Sequence, residues 1–179
     1  MQSTDLSIVN ELEAAINASS AEKGLQTIRR VTDLFLLSAD RFDDEQIALF
    51  DNVLDRLVKT IELRAIADVS ARIALAELSS QLALIPQAPP AVIRRLAHSD
   101  EIAIAGPVLS ESGRLNPDDL IELARTKPQP HLLAIAGRWW LKEVVTDALL
   151  DRQYPAVSRR VVGNPGARVS AAGYAVILA

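Results

Sequence analysis

The sequence predicts an all-α protein in which an N-terminal helical bundle precedes a stack of short helical hairpins. Small aliphatic residues dominate its apolar content, and aromatic residues make up only 4% of the chain. Apolar residues recur at spacings of three and four before Pro86, which is typical of amphipathic helices. After Pro86, Pro, Gly or Asn-Pro interrupts the chain every ten to fifteen residues, so the helices there are expected to be short.

Residues 1–67 are predicted to form the bundle. Amphipathic patterns predict helices at about 5–17 and 21–38. An acidic turn follows, and Asp43 or Asp44 is the expected N-cap of a third, longer helix.

The third helix carries a heptad-like apolar seam, which consists of Ile47, Phe50, Leu54, Leu57 and Ile61. Two interpretations stay open: the seam is core within its own bundle, or it also builds a homodimer interface. The apolar face drifts between Ala65 and Asp68, so we expect a break before the helical pattern resumes at Val69.

Residues 68–179 contain an internal repeat. Ala103–Gly106 recurs as Ala134–Gly137, and a weaker copy ends at Gly173. Separately, Pro90–Arg95 resembles Pro155–Arg160 further along the chain. Helix pairs a little over 30 residues apart, with small residues on their inner faces, predict a HEAT-like right-handed α-solenoid. The apolar C-terminal end of the sequence suggests a truncated array or a covering partner.

Several chemistries find no support in the sequence. A net charge of −4 argues against general nucleic-acid binding, and the acidic excess lies in residues 1–67. The absence of Cys excludes thiolate chemistry and is compatible with a cytoplasmic location. No apolar run is long enough to span a membrane, so no membrane association is expected. The two histidines, His98 and His131, lack a metal-ligand spacing, and we see no cofactor motif or nucleophile elbow.

Three blocks carry a family resemblance: Arg72–Leu78, Ala88–Ala97 and Asp100–Leu109. Together with His131–Arg138 and Gly163–Ala167, they resemble domain of unknown function 2336, a bacterial family of uncharacterised proteins. The resemblance spans roughly 45–179 and is strongest from 68 to 170. It implies a cytoplasmic HEAT-like repeat protein of about twice this length, with no catalytic residues to transfer.

Eight residues are candidates for contact with a partner. Consecutive tryptophans on a helix diverge by about 100°, which leaves two interpretations open: both pack in the core, or one packs between layers and the other contacts a partner at the surface. The arginines either belong to a solvated face or line a basic strip, which at most one arginine of each adjacent pair can join. The two Arg-Arg pairs are expected at equivalent places in two repeats. Arg152 is a further candidate for this strip. The eight residues are Arg94, Arg95, Arg125, Arg138, Trp139, Trp140, Arg159 and Arg160.

These features favour a protein-interaction scaffold or regulatory module without catalytic activity. The expected partner is another protein or the remainder of a longer chain of its own, with homodimerisation through the N-terminal helices as a further option. The alternative is a HEAT-like nucleic-acid-binding or base-modifying protein that uses the arginine strip.

Overall fold

The structure is a computed structural model that describes residues 21–65 and 68–178, with side chains described from Gly24 onward. The predicted helix at 5–17 lies outside the described residues. In the described ranges there are ten α-helices and one 3-10 helix, Ala39–Arg41. The helices are α1 (Ala21–Leu36), α2 (Asp44–Ala65), α3 (Val69–Ala83), α4 (Pro90–His98), α5 (Ile102–Glu111), α6 (Pro117–Thr126), α7 (Gln129–Ala136), α8 (Glu143–Leu150), α9 (Pro155–Val162) and α10 (Ala171–Leu178).

The sequence predicts several helix boundaries correctly because local chemistry sets them. The Asp43 carboxylate accepts a hydrogen bond from the Gln46 backbone N–H at 2.8 Å, and so caps α2. Asn116 and Asp119 form a reciprocal capping box at the start of α6. The expected break is also confirmed, since α2 ends at Ala65 and α3 begins at Val69.

The apolar seam of α2 packs within its own chain. Leu54, Leu57 and Ile61 are buried, and α2 contacts both α1 and α3. Phe50 stacks on Phe42 with ring centroids 4.9 Å apart. The interpretation of the seam as core is therefore confirmed for the three buried residues, whereas a homodimer interface stays a prediction.

From α2 onward the helices alternate between two layers. One layer, here called the even layer, contains α2, α4, α6, α8 and α10; the odd layer contains α3, α5, α7 and α9. Each helix packs on the next helix of its own layer, as α3 does on α5 and α6 on α8. Helices joined in sequence, such as α4 and α5, also pack on each other across the layers.

The helix spacing corrects the predicted repeat. Helices of the even layer begin at Pro90, Pro117, Glu143 and Ala171. Successive starts are therefore about 27 residues apart, a length within the range of helical repeats. The predicted spacing of a little over 30 is wrong because Ala103–Gly106 opens α5, whereas Ala134–Gly137 closes α7. The difference is about one helical turn, so the two copies still present the same face.

The three copies of the repeat are expected to place small residues on inner faces, and alanine does so in two of them. Ala105 and Ala136 are fully buried, whereas Ala172 on α10 is exposed. Gly173 is the buried position of α10 instead, and a Cβ there would lie 2.9 Å from an Asp147 carboxylate oxygen of α8. The glycine therefore permits the close approach of α10 to α8.

The buried side chains form one cluster from Ile28 to Val161, which crosses the predicted boundary at residue 67. α2 and α3 pack together across that boundary and each begins one of the two layers. The division into two domains stays a prediction. Among the helices described, none is both long and apolar enough to cross a bilayer.

Candidate functional site

Both tryptophans lie in the loop that connects α7 to α8. α7 ends at Ala136 and α8 begins at Glu143, so the prediction that they stand on a helix is wrong. Neither is packed between layers: Trp139 is 76% exposed and Trp140 is 43% exposed. We call residues 137–142 the Trp loop.

A second loop, after α9, holds the Trp loop in place. Leu141 donates its backbone N–H to the Gly166 carbonyl at 3.0 Å and accepts from the Arg168 N–H at 3.1 Å, which forms an isolated parallel bridge. A Cβ on Gly166 would lie 1.8 Å from the Trp139 carbonyl oxygen. The backbones touch at this point, so only glycine fits.

The Asn164 side chain fixes the start of the Trp loop. Its amide nitrogen donates to the carbonyls of Ala136 at 2.9 Å and Arg138 at 2.7 Å, while its amide oxygen accepts from the Gly166 N–H at 2.9 Å. One side chain thus ends α7 and orders the opposing loop. The exposed tryptophans therefore project from a backbone that is hydrogen-bonded on its inner side.

Arg138 belongs to the Trp loop, but unlike the tryptophans it is buried, with only 6% of its surface exposed. Its guanidinium donates to the carbonyls of Leu109 at 2.6 Å and Ser112 at 2.7 Å, at the C-terminal end of α5. Burial lowers the pKa of this guanidinium, and nearby Glu111 partly opposes that shift. Arg138 therefore caps a helix, and its predicted place on a surface strip is wrong.

A groove of about 300 Å³ opens beside the Trp loop. The Lys142 ammonium lies 5.9 Å from the centre of the Trp140 ring, within reach of a cation–π interaction. The groove is lined by Gly113, Leu115, Asn116, Pro117, Leu120, Arg138, Trp139, Trp140, Leu141, Lys142 and Val145. It joins the loop after α5, the start of α6 and the Trp loop in one concave, mainly apolar surface.

The other arginines do not assemble one strip. Arg95 donates two hydrogen bonds to Asp55, at 2.5 and 3.1 Å, and lies 3.5 Å from a Glu62 carboxylate oxygen. Arg94 lies 3.8 Å from Asp119 and remains about half exposed. The charge of this first arginine pair is therefore balanced by neighbouring carboxylates.

The second arginine pair stands elsewhere. Arg159 and Arg160 are exposed on α9, in the odd layer, whereas α4 with the first pair belongs to the even layer. The two pairs are thus not equivalent, because the stretch of chain between them is longer than two repeats and shorter than three. Arg160 approaches the Trp loop: a Cβ on Gly137 would lie 2.8 Å from its Nη2. Arg125 is exposed on α6.

Arg152 repeats the role of Arg138 in the even layer. One of its guanidinium nitrogens donates to the carbonyls of Ala124 and Arg125 at 2.7 Å and to that of Lys127 at 3.2 Å. Lys127 in turn donates to the His98 carbonyl and, at 2.7 Å, to Asp100. We call Lys127, Arg138, Arg152 and Asn164 the reach-back caps, because each satisfies carbonyls at the end of a helix one repeat earlier.

The histidines do not form a site with other ligating residues. His131 is buried, and its Nε2 lies 2.9 Å from the Ser99 carbonyl oxygen. Across residues 21–65 and 68–178, no three His, Asp or Glu side chains are grouped so that they could hold a metal ion.

In the part of the chain that the structure describes, helices alternate between two layers from α2 onward, and the Trp loop exposes two aromatic side chains. Residues 104–179, from α5 to the end of the chain, match a family described as an uncharacterised protein conserved in bacteria (DUF2336). This match confirms the resemblance found in the sequence, although it begins later than the roughly 45–179 expected. Comparison with curated proteins and with solved structures gave no match.

Proposed function

We propose that this chain is a HEAT-like right-handed α-solenoid that binds another protein through the Trp loop and has no catalytic activity of its own. The alternating layers and the regular spacing of equivalent helices support the solenoid. The reach-back caps add a further periodic feature, since donors from one repeat satisfy the preceding one.

The exposure of two consecutive tryptophans on an ordered backbone carries the proposal. A large aromatic side chain that faces water still has apolar surface that a partner could bury. Trp is also among the residue types most enriched at interface hot spots. The loop itself is held by the Leu141–Ala167 bridge and by Asn164, so the two rings are presented without an ordering step.

The arrangement of the arginines supports the nucleic-acid alternative less than the exposed tryptophans support protein binding. Arg138 is buried, and Arg95 is balanced by Asp55 and Glu62. With these two removed from the strip, the exposed arginines fall on both layers. We therefore propose the protein-binding role and not the nucleic-acid role, together with the cytoplasmic location that the absence of Cys favours.

Selection of peptides from a random display library tests the binding role. Peptides selected on the wild-type chain should bind Trp139→Ala/Trp140→Ala about thirtyfold more weakly, which corresponds to the ~2 kcal/mol of a hot spot. The matched control, Arg159→Ala, replaces an exposed arginine of α9 and should retain wild-type affinity. A library that yields no binders, or binders with equal affinity for all three proteins, would contradict the proposal.

Homodimerisation through the N-terminal helices is proposed separately, since it does not depend on the Trp loop. Leu37 and Leu49 are 77% and 45% exposed at the N-terminal end of the described chain. Sedimentation equilibrium of the full chain and of Leu37→Ser/Leu49→Ser should show a dimer that the double variant weakens. A wild-type chain that stays monomeric at about 100 μM, far above a micromolar Kd, would exclude it.

A further inference from the structure

The groove beside the Trp loop offers hydrogen-bond donors. An indole N–H and a lysine ammonium can donate but cannot accept. Among the residues that the structure describes, neither Trp139 nor Trp140 makes a hydrogen bond through its indole. Lys142 adds an exposed ammonium beside the Trp140 ring. Three side chains that line the groove are therefore free to donate.

Side-chain acceptors are missing among the described residues that line the groove. Within the described part of the chain, no Asp, Glu, Ser or Thr lines the groove. The one amide oxygen, on Asn116, already accepts from the Asp119 backbone N–H at 2.9 Å. A ligand rich in N–H or O–H groups would leave those donors without side-chain partners, and each unpaired buried donor weakens binding.

We propose that the occupant of this groove is a proline-rich segment of a partner protein, with an acidic residue next to its prolines. This inference rests on the proposed protein-binding role of the Trp loop. A polyproline II segment has unpaired backbone carbonyls and, at each proline, no N–H. Its carbonyls can therefore accept hydrogen bonds from the donors that line the groove, and its prolines add no donor of their own. Aromatic-lined grooves bind such segments because little conformational entropy is lost.

Charge selects the residue beside the prolines. Of the two cations that line the groove, Arg138 is committed to the carbonyls of Leu109 and Ser112, and Lys142 is exposed. No carboxylate among the described lining residues neutralises Lys142. An acidic residue of the ligand therefore completes an ion pair at the Lys142 end, and a basic one is repelled.

An oligosaccharide is the principal competing occupant, since exposed tryptophans also stack on sugar rings. Sugar hydroxyls donate as well as accept hydrogen bonds, and the described residues that line the groove offer no free side-chain acceptor for those donors. The groove volume of about 300 Å³ lies at the low end of small-ligand sites and suits a short extended segment.

The experiment uses a fluorescein-labelled peptide of about seven prolines followed by one aspartate, long enough for two turns of polyproline II. Fluorescence anisotropy should show saturable binding to the full chain, with Kd raised about thirtyfold by Trp139→Ala. A peptide with alanine in place of proline should not bind. Arg159→Ala, on α9, is the matched variant and should bind as wild type does.

A charge exchange tests the acidic residue. Lys142→Glu should weaken the aspartate peptide about tenfold or more, and it should strengthen a peptide that ends in lysine by a similar factor. Equal effects on both peptides would overturn the predicted ion pair, because general damage to the groove has no charge preference.

Three outcomes would overturn the inference and separate it from the proposed function. If proline peptides fail while library-selected peptides bind in a Trp139-dependent manner, only the inference fails. If neither class binds, the protein-binding role fails too. If chito- or cello-oligosaccharides change the tryptophan emission while peptides do not, the groove binds sugar.

Discussion

The arginines and the tryptophans carry the same sequence-based prediction, contact with a partner, yet they stand in opposite surroundings. Arg138 is buried against two carbonyls, and Arg95 is paired with two carboxylates. Trp139 and Trp140 face solvent from a loop whose backbone is fixed. Charge therefore serves mainly to join repeats in this molecule, whereas aromatic surface is what remains free to bind.

The difference follows from the lengths of the side chains and from what lies near them. Every helix end leaves carbonyls that need donors, and short repeats place many such ends close together. A long cationic side chain in the next repeat reaches them, as Arg152 reaches the end of α6. A rigid indole in a short loop has no comparable buried partner within reach.

Loss of Arg138 should have the largest effect on stability. Arg138→Ala leaves the carbonyls of Leu109 and Ser112 without their donors and opens space under the Trp loop. We expect the free energy of unfolding to fall by about 3 kcal/mol in urea titrations followed by circular dichroism. Arg159→Ala, an exposed control, should change it by less than about 0.5 kcal/mol. A loss below about 1 kcal/mol for Arg138→Ala would mean that its hydrogen bonds to the end of α5 contribute little to stability, which contradicts the assigned capping role.

Gly166→Ala should be the next most damaging change and should also move the tryptophans. Its Cβ would meet the Trp139 carbonyl oxygen at 1.8 Å, so the two loops must separate. We expect a loss of about 2 kcal/mol, together with weaker binding of any Trp-dependent peptide. Gly113 has open space around it, so Gly113→Ala is the matched control for the stability measurement. Equal stability of the two variants would contradict the close approach of the loops.

Arg152→Ala should cost about 1–2 kcal/mol without affecting the groove, because it removes a donor that is shared by several carbonyls. The hydrogen bonds to the carbonyls of Ala124 and Lys127 are only partly buried and the one to Arg125 is exposed, so water replaces part of the interaction. Urea unfolding gives the stability, and peptide anisotropy should give an unchanged Kd. A binding defect as large as that of Trp139→Ala would show that the division between joining and binding residues is wrong.

The smallest effect should be a pH dependence at Glu62. Burial raises the pKa of Glu62 above its ordinary 4.5, and Arg95 only partly offsets the shift. The folded state thus binds this proton more tightly than the unfolded state does. The contribution of Glu62 to the free energy of unfolding is therefore greatest below the pKa that Glu62 has in the unfolded chain, and it is lost as pH rises through the pKa that it has in the folded protein. Glu62→Gln should remove this decline, which we expect to be under about 1 kcal/mol between pH 4 and 6.

Asp100→Asn should change the pH dependence of the free energy of unfolding in the direction opposite to Glu62→Gln. The Lys127 ammonium, which donates a hydrogen bond to Asp100, lowers the pKa of that carboxyl. The contribution of Asp100 to the free energy of unfolding is therefore present above the pKa that Asp100 has in the unfolded chain. It is lost as pH falls through the lower pKa that Asp100 has in the folded protein. If both variants change the pH dependence in the same direction, the assigned causes of the two shifts are wrong.

Local features of the fold were predictable from sequence, and non-local ones were not. Asn116 and Asp43 cap helices through residues three positions away, so their signals lie within one short segment. The position of Trp139 depends on Asn164 and Gly166, which lie much further along the chain. Periodicity cannot reveal that α7 ends before the tryptophans, because the groups that end it belong to the next repeat.

The arginines show the same limit. Sequence similarity between Pro90–Arg95 and Pro155–Arg160 suggests equivalent places, but the spacing of equivalent helices puts the two segments in different layers. A basic residue shortly after a helix end, as at Arg138 and Arg152, was the available signal for the reach-back caps. Its meaning depends on the helix of the preceding repeat, which only the fold brings into contact.

Tryptophan fluorescence tests the central claim most directly, since the chain has two tryptophans and both lie in the Trp loop. Acrylamide should quench the folded protein strongly, although less than the urea-unfolded chain because Trp140 is more than half covered, and the folded emission should already lie close to that of exposed indole. The anisotropy of the indoles should nevertheless decay with the tumbling of the whole molecule. A blue-shifted, acrylamide-protected emission, or a fast anisotropy decay, would contradict a fixed loop that presents both rings to solvent.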